Sequence, residues 1–190
     1  RVIGIGETIL DLLFKNNQPT VAVPGGSVFN GLVSLGRAGA KVTFISEVGG
    51  DRVGNIILDF MKENGICTDS VVVYPDRKSP ISLAFLNEKN DAEYSFYKDY
   101  PSLRLDVDMP EVTSDDIVMF GSFYAITPQL RDKVKELLDK ARKVGAIIYY
   151  DVNFRSTHAH EAIKLMPTIL ENFEYADIVR GSTEDFGNMF

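Results

Sequence analysis

The sequence predicts an α/β fold: a parallel sheet covered by helices, with a smaller β-layer beside it. Three observations carry that expectation. From about residue 116 onward, short β-type apolar runs alternate with amphipathic helical stretches, the rhythm of a parallel sheet with helices on its faces. The first run, Arg1-Val2-Ile3-Gly4-Ile5-Gly6, is apolar without alternation, as a strand buried on both faces is. Two extended pieces, 10–24 and 81–97, break the strand–helix rhythm and are the candidates for the smaller layer.

The elements follow in order. Ile9-Leu10-Asp11-Leu12-Leu13-Phe14 is an apolar stretch with one acid in its middle. Asn16-Asn17-Gln18-Pro19 is turn chemistry, and 20–24 resumes an extended pattern. Gly25-Gly26 leads into a helix over 27–39, with Val28, Leu32 and Leu35 at helical spacing. Ser27 is its expected N-cap and Gly39 its expected stop. A strand over 42–46, a turn at 49–51 and a helix over 55–64 closed by Gly65 come next, then a strand over 70–74. Strands over 81–86 and 92–97, separated by Asn87-Glu88-Lys89-Asn90-Asp91, read as a hairpin. Strands over 116–120, 146–150 and 177–179 then alternate with helices over 128–144 and 159–173, the first with Pro128 near its first turn. A further helical stretch opens at Ser182.

Composition excludes several classes. Apolar residues make up 45 % and charged residues 25 % of the 190, which is globular rather than disordered. Lys plus Arg number 20 against 27 Asp plus Glu, a net charge of −7. Such a surface is poorly suited to nucleic-acid backbones or anionic membranes. No apolar run is long enough to span a bilayer, and no signal peptide is visible. The single cysteine, Cys67, allows no internal disulfide and suits a reducing, cytoplasmic setting.

Several residues could carry chemistry. Gly25-Gly26 before a helix would let a ligand approach the backbone and the free amides of the helix start, or is simply a tight turn. Asp11 within an apolar run needs a polar partner, such as a pair of sugar hydroxyls, unless it faces outward from an edge strand. Asp151-x-Asn153-x-Arg155 follows a strand, where open α/β sheets bind ligands; a capped loop is the alternative. Tyr94 and Phe96 alternate, so both rings share a face, either as a sugar platform or as a hydrophobic cover. His158-x-His160 lacks a third metal ligand, and Cys67 lacks a basic activator, so neither is assigned a role. Gly4-x-Gly6 lacks the third glycine of a dinucleotide fingerprint.

Gly6-Glu7-x-x-x-Asp11, Gly25-Gly26-x-x-x-Asn30, Leu35-Gly36-x-x-Gly39 and Gly49-x-Asp51-x-x-Gly54 together resemble the first signature of the ribokinase-like (pfkB) family of carbohydrate kinases. Asp151-x-Asn153-x-Arg155 resembles its fructokinase-like branch. The resemblance runs along essentially the whole chain. It implies a three-layer α/β/α core, incomplete here, with a small β-sheet lid built from about 10–24 and 79–98. By the same resemblance Asp11, Gly25, Gly26 and Asn30 would hold sugar hydroxyls, Phe96 would cover the ring and Arg155 would add a contact. Asp151, Asn153 and Glu184 would lie toward ATP and Mg2+, although Gly181 stands where the family usually has Asn. The family's second signature, a glycine-rich helix start ending in a catalytic aspartate (G-A-G-D in form), does not occur in the 190 residues. The chain is therefore expected to be the N-terminal, sugar-binding portion, with the aspartate base beyond residue 190. The implied activity is ATP-dependent phosphorylation of a fructose-like sugar by a homodimer joined through its lids. A nucleoside kinase of the same fold and a sugar-binding protein without phosphoryl transfer are the alternatives.

Overall fold

The computed structural model describes residues 1–88 and 92–189, without the side chains of residues 157 and 158. The residues Lys89, Asn90 and Asp91 of the expected hairpin turn therefore lie outside the described residues, as does the His158 side chain.

The core sheet is built from β1 (Val2–Ile5), β4 (Val42–Gly49), β5 (Ile66–Cys67), β6 (Val71–Tyr74), β9 (Ile117–Gly121), β10 (Ile147–Asp151) and β11 (Ile178–Arg180). Its order is β11-β10-β9-β1-β4-β5, with β6 paired farther along β4. Every pairing is parallel, so all strand C-termini, and the loops that follow them, gather at one edge. β1 lies at the centre and is buried on both sides, which is why its sequence shows no polar alternation.

Helices cover both faces. α1 (Ser27–Arg37) and α2 (Arg52–Glu63) pack on one side, where Phe29, Leu32, Phe44, Ile57 and Met61 share an apolar cluster. α3 (Arg131–Val144) and α4 (Ala162–Tyr175) pack on the other, with Leu137, Leu138 and Ile169 against Ile3, Ile5, Val118, Phe120 and Ile148. A short α5 (Thr183–Met189) follows β11. This is the three-layer α/β/α arrangement.

The two irregular pieces form one separate four-stranded sheet. β2 (Ile9–Lys15) and β3 (Gln18–Gly25) make a hairpin through Asn16 and Asn17, both at positive φ (52° and 60°), a conformation asparagine tolerates. β7 (Ile81–Leu86) and β8 (Ala92–Tyr97) make the second antiparallel pair, and β7 joins β2 in parallel, giving the order β3-β2-β7-β8.

Some local expectations are corrected. Ser27 is the first helical residue of α1 rather than its cap; Gly26 is the N-cap and no side chain caps it. α2 starts at Arg52 because Asp51 caps it, accepting a hydrogen bond from the Gly54 amide at 2.8 Å. The helix expected from Pro128 begins as a 3₁₀ turn and becomes α-helical at Arg131. The one expected from 159 begins at Ala162, after a 3₁₀ segment. Cys67 lies on the short strand β5 and is exposed.

Candidate functional site

Strand register assembles the first part of the site. Asp11 on β2 pairs with Ser82 on β7, and Ser82 pairs with Phe96 on β8. The three side chains therefore share one face of the small sheet. Ser82 is fully buried and donates its hydroxyl to Asp11 Oδ1. Phe96 is 56 % exposed and stacks on Tyr94, with centroids 5.8 Å apart and planes within 7°. The outward-facing reading of Asp11 on an edge strand is excluded, since β2 is an inner strand. Burial pushes the Asp11 carboxyl up, the Ser82 hydrogen bond opposes this, and the nearby charge of Glu7 adds to the rise. The net shift is upward.

The Gly25-Gly26 pair comes next along the chain. A Cβ on Gly25 would lie 2.5 Å from Asp11 Oδ2, so glycine is what lets the carboxylate sit against the backbone. Gly26 has φ 144°, and a Cβ there would lie 2.3 Å from the Glu7 carbonyl. Only glycine serves at that helix start. Asn30 is exposed in the first turn of α1, its amide bonded to the Gly26 carbonyl.

Glu7 is the neighbour that sequence reasoning left unassigned. It receives Lys98 Nζ at 2.7 and 2.9 Å and the Tyr100 hydroxyl at 2.6 Å. Lys98 also lies 5.3 Å from the Phe96 ring centroid. An open cavity of about 390 Å³ runs along this end of β8, lined by Lys78, Ser79, Ile81, Phe96, Tyr97, Lys98 and Asp99. Ser82 was also unassigned, although the alternation along β7 places it opposite Ile81, Leu83 and Phe85.

The second part lies at the C-terminal ends of β10 and β11. Asp151 Oδ2 accepts from Ser27 Oγ at 3.4 Å and Arg180 Nη1 at 3.1 Å, tying α1, β10 and β11 together. Its buried Oδ1 has no hydrogen-bond partner among the described residues. Asn153 holds φ 38°, and Arg155 is exposed immediately beyond Phe154. Glu184 is exposed in α5. Asp185 is buried and takes the Ser182 amide (2.6 Å) and hydroxyl (2.8 Å), while its own amide donates to Ser182 Oγ. That is a capping box, so Asp185 serves the helix end. Among the described residues no three His, Cys, Asp or Glu side chains converge to hold a metal ion.

The family model described as pfkB family carbohydrate kinase matches residues 3–190. The chain belongs to this family of carbohydrate kinases. Fructokinases are among its curated relatives. A chloroplastic protein of Arabidopsis thaliana named probable fructokinase-6 is 26 % identical over 97 % of this chain and 51 % of its own length. The fructokinase of Vibrio alginolyticus is 22 % identical over 95 % of this chain and 59 % of its own. The chain thus spans little more than half the length of the curated relatives it matches. Among solved structures, a sugar kinase of Pyrococcus horikoshii superposes over 100 % of this chain and 68 % of its own, with TM-score 0.84 and 23 % identity. The fructokinase of Vibrio cholerae O395 covers 99 % of this chain and 66 % of its own, with TM-score 0.83 and 18 % identity. These likenesses establish the ribokinase-like fold. No described helix is long and apolar enough to cross a membrane.

Proposed function

We propose that this chain is the sugar-binding and lid portion of an ATP-dependent kinase that phosphorylates a hydroxyl of a fructose-like sugar. The observation that carries the reading is Asp11. Its partly buried carboxylate keeps Oδ2 against Gly25 and accepts the Ser82 hydroxyl at Oδ1, on the sheet face that also carries the exposed ring of Phe96. A desolvated carboxylate accepts hydroxyl donors strongly, and an aromatic face suits the apolar face of a sugar ring. Gly25 and Gly26 let the Asp11 carboxylate and the Glu7 carbonyl pack against the start of α1, which is offered to the sugar with Asn30 and Arg155 as further polar contacts. The small sheet acts as the lid that excludes water, which otherwise competes as phosphoryl acceptor.

ATP supplies the phosphoryl group, and catalysis is positioning and charge stabilisation. Asp151, Asn153 and Glu184 are assigned to the nucleotide side of the cleft, toward ATP and Mg2+, and none of the three is assigned as the aspartate base. The ATP complex of Xylella fastidiosa fructokinase and the fructose–ADP complex of Vibrio cholerae fructokinase support this reading of donor and acceptor. The proposed assembly is a homodimer through the lids, and the single free cysteine supports a reducing, cytoplasmic setting.

Calorimetric titration of the chain with fructose, other ketoses and nucleosides tests the substrate class. The expected result is ketose binding without nucleoside binding, and no sugar-dependent ADP formation by the 190 residues alone. Nucleoside binding in place of sugar would transfer the reading to a nucleoside kinase.

A further inference from the structure

The geometry points to Glu47 as the positioning residue of the lid, one carboxylate that grips both stems of the β7–β8 hairpin. Glu47 is 1 % exposed near the C-terminal end of β4, in the core sheet. Its Oε2 accepts the Tyr74 hydroxyl at 2.9 Å, and Tyr74 ends β6, the strand that precedes β7. Its Oε1 accepts Arg104 Nε at 2.8 Å and Arg104 Nη2, from the segment that leaves β8. The Tyr124 hydroxyl reaches Oε1 at 3.2 Å, and the Leu105 amide reaches Oε2 at 3.4 Å and Tyr74 Oη at 2.9 Å. Entry and exit of the hairpin thus meet at one buried anion.

The grip extends outward to the sugar face. The Arg104 guanidinium lies 3.6 Å from the Tyr100 ring centroid. The Tyr100 hydroxyl bonds to Glu7, which also holds Lys98, the residue next to β8. The charge of Glu7 is near enough to add to the upward push on the Asp11 carboxyl. Leu105 is fully buried at φ 49°, a conformation an L side chain adopts only when its surroundings enforce it. A buried ion pair of this kind adds little net stability over an apolar replacement. Its fixed directional bonds instead give the hairpin one orientation over the sheet edge. This assignment concerns the lid of the proposed sugar site and rests on that reading only for its consequence in sugar affinity.

Hydrogen exchange of the intact chain tests it without ligand. Glu47→Gln leaves Arg104 buried and unpaired, so both global stability and β7–β8 protection should fall. The double variant Glu47→Gln/Arg104→Met removes both charges and should regain most of the denaturation midpoint. Its β7 and β8 amides should still exchange about tenfold faster than wild type, with β1, β4 and β9 unchanged. Tyr74→Phe deletes a single hydroxyl and, as the mild variant, should move the same amides in the same direction. Wild-type protection of β7–β8 in the double variant and in Tyr74→Phe, or deprotection spread evenly over both sheets, would overturn the assignment. A fructose titration of the same variants should show weakened affinity. Absence of fructose binding by wild type would sink the substrate reading and leave the exchange result standing.

Discussion

A carboxylate half-buried in an apolar sheet is charged at some expense to the fold, and Asp11 is in that position. Its pKa is raised, chiefly by burial. The native state therefore holds a proton at Asp11 more readily than the unfolded chain does. Above the native pKa the charged group opposes folding, and as pH falls through that pKa the penalty is relieved. Asp11→Asn keeps an acceptor for Ser82 and removes the charge, so it should raise the unfolding midpoint at pH 7, with the gain vanishing in acid. Asp11→Ala should cost roughly ten- to a hundredfold in sugar affinity, the usual loss when buried hydroxyls lose a charged acceptor. Thermal scans at pH 7 and in acid, with calorimetry, read both effects. Sugar affinity unchanged in Asp11→Ala would make the residue structural.

At the scale of elements, Asp51 does two tasks. It caps α2 through the Gly54 amide, and it holds the approach to β7 through the Ser79 amide (3.0 Å) and hydroxyl (2.8 Å). Burial pushes its carboxyl up, but these hydrogen bonds outweigh burial and leave it below the usual carboxylate range. A lowered native pKa means stability that is present above about pH 4 and lost as pH falls through the native value. Asp51→Ala should therefore cost about 1–2 kcal/mol at neutral pH, with the difference shrinking in acid. Urea denaturation at both pH values measures it; an equal loss at both would assign the effect to packing. The elements themselves are largely legible in the sequence, because period, glycine stops and β-branched runs are local signals. The starts of α1 and α2 are not, since Gly-Gly-Ser permits more than one cap and Gly26 wins only through its φ and the nearby Glu7 carbonyl. Asp11 is legible because an acid in an apolar run is anomalous on its face. Ser82 and Glu47 are not, because their partners come from distant segments: Asp11 is 71 positions from Ser82, and Glu47 is 57 from Arg104.

At the scale of the molecule, the small sheet has two unlike faces. One carries Asp11, Ser82, Tyr94 and Phe96 and is assigned to the sugar. The other carries Leu10, Leu12 and Ile81, which pack against the α1–α2 layer. Beyond them on that second face stand Phe14, Leu83 and Phe85, partly exposed, with Phe14 and Phe85 stacked at 4.9 Å. Tyr97 continues the same face and is 57 % exposed. The part of the face near the core is covered by the chain itself, and the far part is not. The outer strands β3 and β8 also leave open edges. A contiguous apolar patch next to open edges favours association, and a second copy can cover it by a two-fold pairing, each Leu83 region meeting its counterpart. The chain is therefore expected to form a dimer through the lids, and Leu83→Lys should convert it to a monomer, because two ammonium groups would be brought close together in an apolar interface. Light scattering at tens of micromolar reads the mass directly. A monomer mass for wild type would exclude the lid dimer as a stable species, and a dimer that survives Leu83→Lys would place the interface elsewhere on the molecule.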